Sequence, residues 1–277
     1  MIPAIEHPMS SPIRIGAVDY LNVRPLVAGI DADPAFALRF DPPSLCAQLL
    51  HEAEIDLGMI PTIAYQHREG YRVVPDAAIG SEGPVYSVAL YTRVPLKKIT
   101  RVAADTSSNT SVALLRVLSA ERFGIAPELV PMAPDLAAMT TAEDAALLIG
   151  DPALFADHDA MGLEKVDLGT EWTALTGLPF VWAFWAGREG AIDPAGVERL
   201  HAARRRGEAA SDRIAEAYAA EYARRTGRPA DPELAKSYLK DNIKYDFGER
   251  EVAAVERFHA LALKAGIVTR AEPIRFF

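Results

Sequence analysis

The chain has 277 residues, half of them hydrophobic and 24% charged, which supplies a core for about two domains at the usual ~150 residues each. Its formal net charge of -9 excludes the broad basic face that nucleic-acid phosphates require. A single cysteine, Cys46, allows no intrachain disulfide and suits a reducing cytoplasm, and no stretch reaches the ~18 apolar residues of a membrane span.

Residues 1 to 12 carry three prolines and no periodicity and read as a loose tail without the basic and apolar regions of an export signal. IRIGAV (13 to 18) reads as a buried strand. Asp19, Tyr20, Asn22 and Arg24 then place four hydrogen-bonding side chains within six positions, and Pro25 stops the run. Ser44 reads as the N-cap of a helix, LCAQLLHEA, whose Leu45, Leu49 and Leu50 share one face. Cys46 sits inside it as a small buried hydrophobe. IDLGMI (55 to 60) is a second strand, ended by Pro61. Gly83 and Pro84 bend the chain into a third, SVALYT (87 to 92). RVAAD (101 to 105) is a strand leading into a helix closed by Gly124, and AALLIGD (145 to 151) and FVWAFWA (180 to 186) are further strands. Residues 193 to 226 and 232 to 265 are helical throughout, with Arg204, Arg205 and Arg206 on a solvated face. The apolar face carrying Phe258, Leu261 and Leu263 packs within its lobe or across a homodimer.

Strands alternating with helices imply an α/β fold with parallel sheets. GPVYS reads as a passage from one lobe to another, with FVWAFWA as the return strand. Residues 1–90 with 187–277 then form a discontinuous first lobe, and residues 91–186 the second, with a ligand cleft between them. Trp182 and Trp185, three apart on a strand, face opposite sides, one toward the cleft and one toward the core.

Several chemistries lack their residues. The six histidines never fall at H-x-H or H-x₃-H spacing and no C-x-x-C exists, so no metal is expected. No G-x-G-x-x-G follows the first strand, no Walker A lysine is present, and G-x-S-x-G is missing. The positive signals sit at strand ends, where open α/β sheets bind ligands. Tyr20, Asn22 and Arg24 follow the first strand; Tyr20 and Arg24 read equally as ligand contacts or as a cleft hydrogen bond and a surface ion pair. Asp105 to Thr110 place six hydrogen-bonding residues before a helix whose N-terminus favours an anion. Ser107, Ser108, Asn109, Thr110 and Ser111 are therefore candidate carboxylate contacts. Gly150 and Asp151 close the strand AALLI. Pattern alone reaches a two-lobed anion-binding protein, either a solute-binding module or an enzyme.

GAVDYLNVRPL, DLGMIPTIAY, SEGPVYSVALYT, ADTSSNTSVALLRVL, ALLIGDPAL and DLGTEWTALTGLPFVWAFWA occur in this order between about residues 13 and 190. Together they resemble the chorismate dehydratases of the futalosine route to menaquinone, with SYLKDNIKYDFGERE similar more loosely. The sister family, dihydroxynaphthoate synthase, opens with a cysteine-containing motif absent here. Asn109 stands where many relatives carry arginine. The resemblance implies a two-lobed type II periplasmic-binding-protein-like fold without an export signal, a cytoplasmic enzyme, and chorismate as substrate. It implies 3-[(1-carboxyvinyl)oxy]benzoate as product, no cofactor, and Asn22 and Ser87 as catalytic residues. The base is then the substrate's own enolpyruvyl carboxylate, with Asp151 or Asp19 as its rival. The other readings are a non-catalytic cytoplasmic binding protein for a small carboxylate, and the sister synthase.

Overall fold

A computed structural model describes residues 11–277, so the tail read at residues 1 to 12 lies almost wholly outside the described residues. The chain forms two five-stranded sheets flanked by helices. In chain order the first sheet uses β1 (Ile13–Val18), β2 (Phe36–Asp41), β3 (Leu57–Pro61) and β4 (Tyr71–Ser81). The second uses β5 (Val88–Thr92), β6 (Arg101–Asp105), β7 (Glu128–Met132), β8 (Ala145–Ile149) and β9 (Glu164–Asp167). β10 (Phe180–Arg188) then returns to the first sheet, antiparallel to β3 and β4. The spatial orders are β2-β1-β3-β10-β4 and β7-β6-β8-β5-β9.

The expected lobe boundaries cut through two strands that the sheets keep whole. Val88–Thr92 pairs entirely with β8 and β9 of the second sheet, and Phe180–Arg188 entirely with the first. The chain therefore crosses at residues 82–87 and again at 177–179, earlier than residues 91 and 187. The crossings fall where turn residues release the chain: Gly83 has φ +77 and Gly177 has φ +71.

The helices are α1 (Pro43–His51), α2 (Thr110–Leu118), α3 (Leu136–Ala142), α4 (Gly150–Leu154), α5 (Leu168–Thr176), α6 (Pro194–Ala209), α7 (Ser211–Thr226), α8 (Pro232–Ser237) and α9 (Glu249–Lys264). Ser44 is not the cap of α1: the helix starts two residues earlier, with Pro42 as N-cap and Pro43 in its first turn, where a missing N–H costs nothing. α2 runs into a π-helical turn, Ser119–Phe123, and ends at Gly124 in the left-handed region, as its sequence predicts. Phe258 and Leu261 bury within the chain, Phe258 edge-on to Phe180 with ring centres 5.0 Å apart, while Leu263 is exposed. Arg204 departs from the solvated face expected of it. Its side chain is only 11% exposed and meets Asp76, Glu208 and Asp246 at 2.9, 3.1 and 2.5 Å.

Sheet polarity assembles the cleft. Parallel strands β1, β3, β6 and β8 deliver their carboxyl ends to one edge, and antiparallel β5 and β10 begin at that same edge. The 3₁₀ turn Leu21–Val27 leaves β1 there and buries Leu21, Val23, Pro25, Leu26 and Val27 against α6 and α7. α6 approaches this turn so closely that a Cβ on Gly207 would fall 2.0 Å from the Pro25 carbonyl oxygen. Gly207→Ala forces that contact apart. It is expected to lower the denaturation midpoint at unchanged m-value, with a loss of about 1–3 kcal/mol. A neutral effect would mean that the turn carrying Asn22 is not clamped by α6.

Candidate functional site

The cleft is lined from both sheets. Val18, Tyr20, Asn22, Met59 and Pro61 come from the ends of β1 and β3, and Trp182 and Ala183 from the start of β10. Ser87 and Val88 come from the start of β5, Ser108 to Ser111 from the end of β6, and Ile149 and Gly150 from the end of β8. Of the residues singled out in the sequence, Tyr20, Asn22, Ser87, Ser108, Asn109, Thr110, Ser111 and Gly150 meet here. Trp182 lines the cleft while Trp185 is fully buried in the core, and Trp182 is oriented by donating to Ser81 Oγ at 3.1 Å.

Three singled-out residues do not line it. Arg24 is drawn away by an ion pair with Asp19 and stacks over Phe40 and Tyr218, so the surface-ion-pair alternative describes it. Ser107 turns back to Asp105, donating from its N–H and Oγ at 2.9 and 2.7 Å. Asp151 lies behind the wall, where its Oδ1 accepts from the Leu21 N–H at 3.1 Å and its Oδ2 lies 2.5 Å from the Tyr218 hydroxyl.

Gly150 lines the cleft and gives its space to Tyr20. Its φ is +64, and a Cβ there would fall 2.5 Å from the Tyr20 ring, so it is the tyrosine that needs the space. Ser87 is held by the turn before it. Tyr86 has φ +63, which allows the Ser87 N–H to reach back to the Val85 carbonyl at 2.7 Å in a γ-turn. Asp167 stabilises that strained turn by accepting from the Val85 and Tyr86 amides at 3.1 and 2.7 Å.

Tyr238 is not legible in the sequence as a site residue. It lies in a π-helical turn (Tyr238–Asn242) after α8, yet its hydroxyl accepts from Asn22 Nδ2 at 3.0 Å and sits 2.7 Å from Ser87 Oγ. Burial pushes its phenol well above the ordinary range. Asn22 Oδ1 is buried with no partner among the described residues. The Asn109 and Thr110 amides, ahead of and opening α2, likewise have no partner among the described residues. The cleft thus offers unpaired backbone donors at a helix start, one unpaired acceptor, and a serine tied to a buried phenol. Among its lining residues none is Asp, Glu, His, Lys or Arg.

The menaquinone biosynthesis family model matches residues 13–264. The chain belongs to that family. It is similar to the protein named chorismate dehydratase of Thermus thermophilus, with 33% identity over 264 residues, covering 89% of this chain and 94% of that one. Among solved structures it resembles protein AF1704 of Archaeoglobus fulgidus, with TM-score 0.75 and 21% identity over 94% of this chain and all of that one. The periplasmic aliphatic sulphonate binding protein SsuA of Escherichia coli aligns with TM-score 0.67 and 18% identity over 95% of each chain. These likenesses establish the periplasmic-binding-protein-like, two-lobed α/β fold.

In this menaquinone-biosynthesis chain the group behind the wall has an assignable proton. The Tyr218 hydroxyl, with one hydrogen to give, lies 3.1 Å from the Asp19 carbonyl and 2.5 Å from Asp151 Oδ2. Below its pKa a protonated Asp151 donates to Tyr218, which in turn donates to the Asp19 carbonyl; above it Tyr218 donates to the Asp151 carboxylate. Burial pushes the Asp151 carboxyl up to about 6, against the pull of Tyr218 and the Leu21 amide. Because its folded pKa exceeds the unfolded one, the stability that Asp151 contributes is fully present below about pH 4 and is lost as pH rises through 6. A carboxamide in place of the Asp151 carboxyl would not titrate and can make the same bonds. Asp151→Asn is therefore expected to gain on wild type between pH 4 and 6, by up to about 3 kcal/mol at pH 7. A stability difference that is flat with pH would contradict the buried proton.

Proposed function

We propose that this chain is a hydro-lyase that removes water from chorismate, giving 3-[(1-carboxyvinyl)oxy]benzoate for menaquinone biosynthesis. The observation that carries the proposal is a cleft without acidic or basic side chains in which Asn22 and Ser87 share one buried phenol. A dianion is repelled by wall carboxylates, and the cleft lining has none. The unpaired Asn109 and Thr110 amides and the dipole of α2 supply a carboxylate subsite, with Ser108 and Ser111 beside it. Asn109, standing in place of an arginine, leaves this subsite to neutral donors.

The chemistry needs little more than placement. Removal of the C3 proton leaves a carbanion delocalised through the ring alkene into the C1 carboxylate. Its electron pair then forms the C3–C4 double bond as the C4 hydroxyl departs with the C–O bonding pair and takes up the proton removed from C3, so that water is lost. The ring becomes aromatic, so the elimination is driven without redox chemistry. The protein holds the leaving group aligned and stabilises the charge on the ring carboxylate.

The base is the substrate's own enolpyruvyl carboxylate. Asp151 is an unsuitable rival, since both its oxygens are committed to Leu21 and Tyr218 and it does not line the cleft. Asp19 is committed to Arg24 and Arg225. Ser87 and Asn22 position the departing hydroxyl. Ser87→Ala is expected to cost about 10²-fold or more in kcat, while Asp151→Asn keeps near-normal kcat against chorismate. A collapse of kcat in Asp151→Asn with an intact fold would return the base to the protein.

A further inference from the structure

Tyr238 touches both Asn22 and Ser87 while only 1% exposed, and hydrogen counting fixes which way each bond runs. A phenol has one hydrogen to give and lone pairs to receive. Asn22 Nδ2 only donates, so the Tyr238 oxygen accepts there. The phenol's own hydrogen has one remaining partner, Ser87 Oγ at 2.7 Å. Ser87 therefore accepts from Tyr238, and its own hydrogen is left for the cleft that it lines. On the other arm, Asn22 Oδ1 is buried and unpaired, and Asn22 lines the same cleft. A buried acceptor left without a donor is costly, and a ligand that brings the donor removes that cost.

We infer that Tyr238 is a positioning residue that orders the hydrogens of Ser87 and Asn22, so that the cleft presents one donor and one acceptor side by side. An alcohol both accepts and donates, and fits that pair. An ionised carboxylate has no hydrogen for Asn22 Oδ1, and is rejected at this point of the cleft. The inference rests on the chorismate reading in one respect: the alcohol is then the departing C4 hydroxyl. Its oxygen takes the Ser87 hydrogen bond, which strengthens as charge develops there, and its hydrogen goes to Asn22. The same arrangement separates the alcohol end of the substrate from its two carboxylates, one of which lies at the start of α2.

The test is Tyr238→Phe, which deletes one oxygen and keeps the ring. Four quantities are read: kcat, KM for chorismate, the inhibition constant of the product, which lacks the alcohol, and the cost of the same change on a Ser87→Ala background. The expected kcat loss is about tenfold, the worth of one neutral hydrogen bond felt in the transition state. The product's inhibition constant is expected to move less than about twofold, and the double variant to be little worse than Ser87→Ala alone. A kcat within about twofold of wild type, an equal loss of product affinity, or additive costs in the double variant would each overturn the role. Should Tyr238→Phe lose its native melting transition, 3-fluorotyrosine at position 238 keeps the packing and strengthens the donor. A raised kcat at unchanged product affinity then supports the role, and an unchanged or lowered kcat overturns it.

The two failures are separable. Wild type that dehydrates chorismate while Tyr238→Phe keeps the full rate removes the positioning role alone. Wild type that binds chorismate without reacting removes the proposed reaction. The role is then read in affinity, where Tyr238→Phe must weaken chorismate about tenfold and spare the product. If chorismate neither reacts nor binds, both fall.

Discussion

Buried polar groups must find partners, and at the cleft that requirement joins elements far apart in the chain. Tyr238 follows the eighth helix, Asn22 leaves the first strand, and Ser87 begins the strand that enters the second sheet; their three side chains meet through one phenolic oxygen. The contact ties the edges of the two sheets together at the point where a ligand would sit. The polarity of the strands brings Asn22 and Ser87 to that edge. Parallel strands end there, antiparallel ones begin there, and the glycine at position 150 yields its space to Tyr20.

Carboxylates do the scaffolding from outside the cleft lining. Asp105 takes the Ser107 donors and the Ile149 amide, Asp151 takes the Leu21 amide, and Asp167 takes the amides of Val85 and Tyr86. Each thus fixes a loop of the cleft wall by accepting backbone N–H bonds, and none lines the cleft itself. Burial raises the pKa of Asp105 and Asp151, which marks the desolvation that this placement costs. The wall left facing the ligand is neutral, with donors in excess. That suits an anion, in a chain whose overall charge is -9.

What the sequence reveals follows the burial of the backbone. The six strands readable as apolar runs are the six interior strands, three in each sheet. The four that escape, β2, β4, β7 and β9, are the four edges. Edge strands carry charge and proline, which protect them from pairing with other chains and erase the apolar pattern. Pro75 and Asp76 interrupt β4, Pro131 sits in β7, and β9 is EKVD. The site divides the same way. Strand-end residues such as Asn22 and Ser87 are legible because polar groups stand out after a buried run. Tyr238 is not, because it lies within an ordinary amphipathic helical stretch and meets its partners 216 and 151 residues away through a π-helical turn. Arg24 is legible only as two alternatives: a cation beside the strand end invites a ligand role or an ion pair, and Asp19, five residues back, claims it.

The central claim is that a neutral, donor-lined cleft holding Asn22, Ser87 and Tyr238 eliminates water from chorismate. Incubating the purified wild-type chain with chorismate alone, and following the mixture by chromatography, mass and absorbance, tests it most directly. The account predicts an aromatic product lighter by one water. Chorismate that raises the melting temperature yet is recovered unchanged would contradict it, and would leave a binding protein in place of an enzyme.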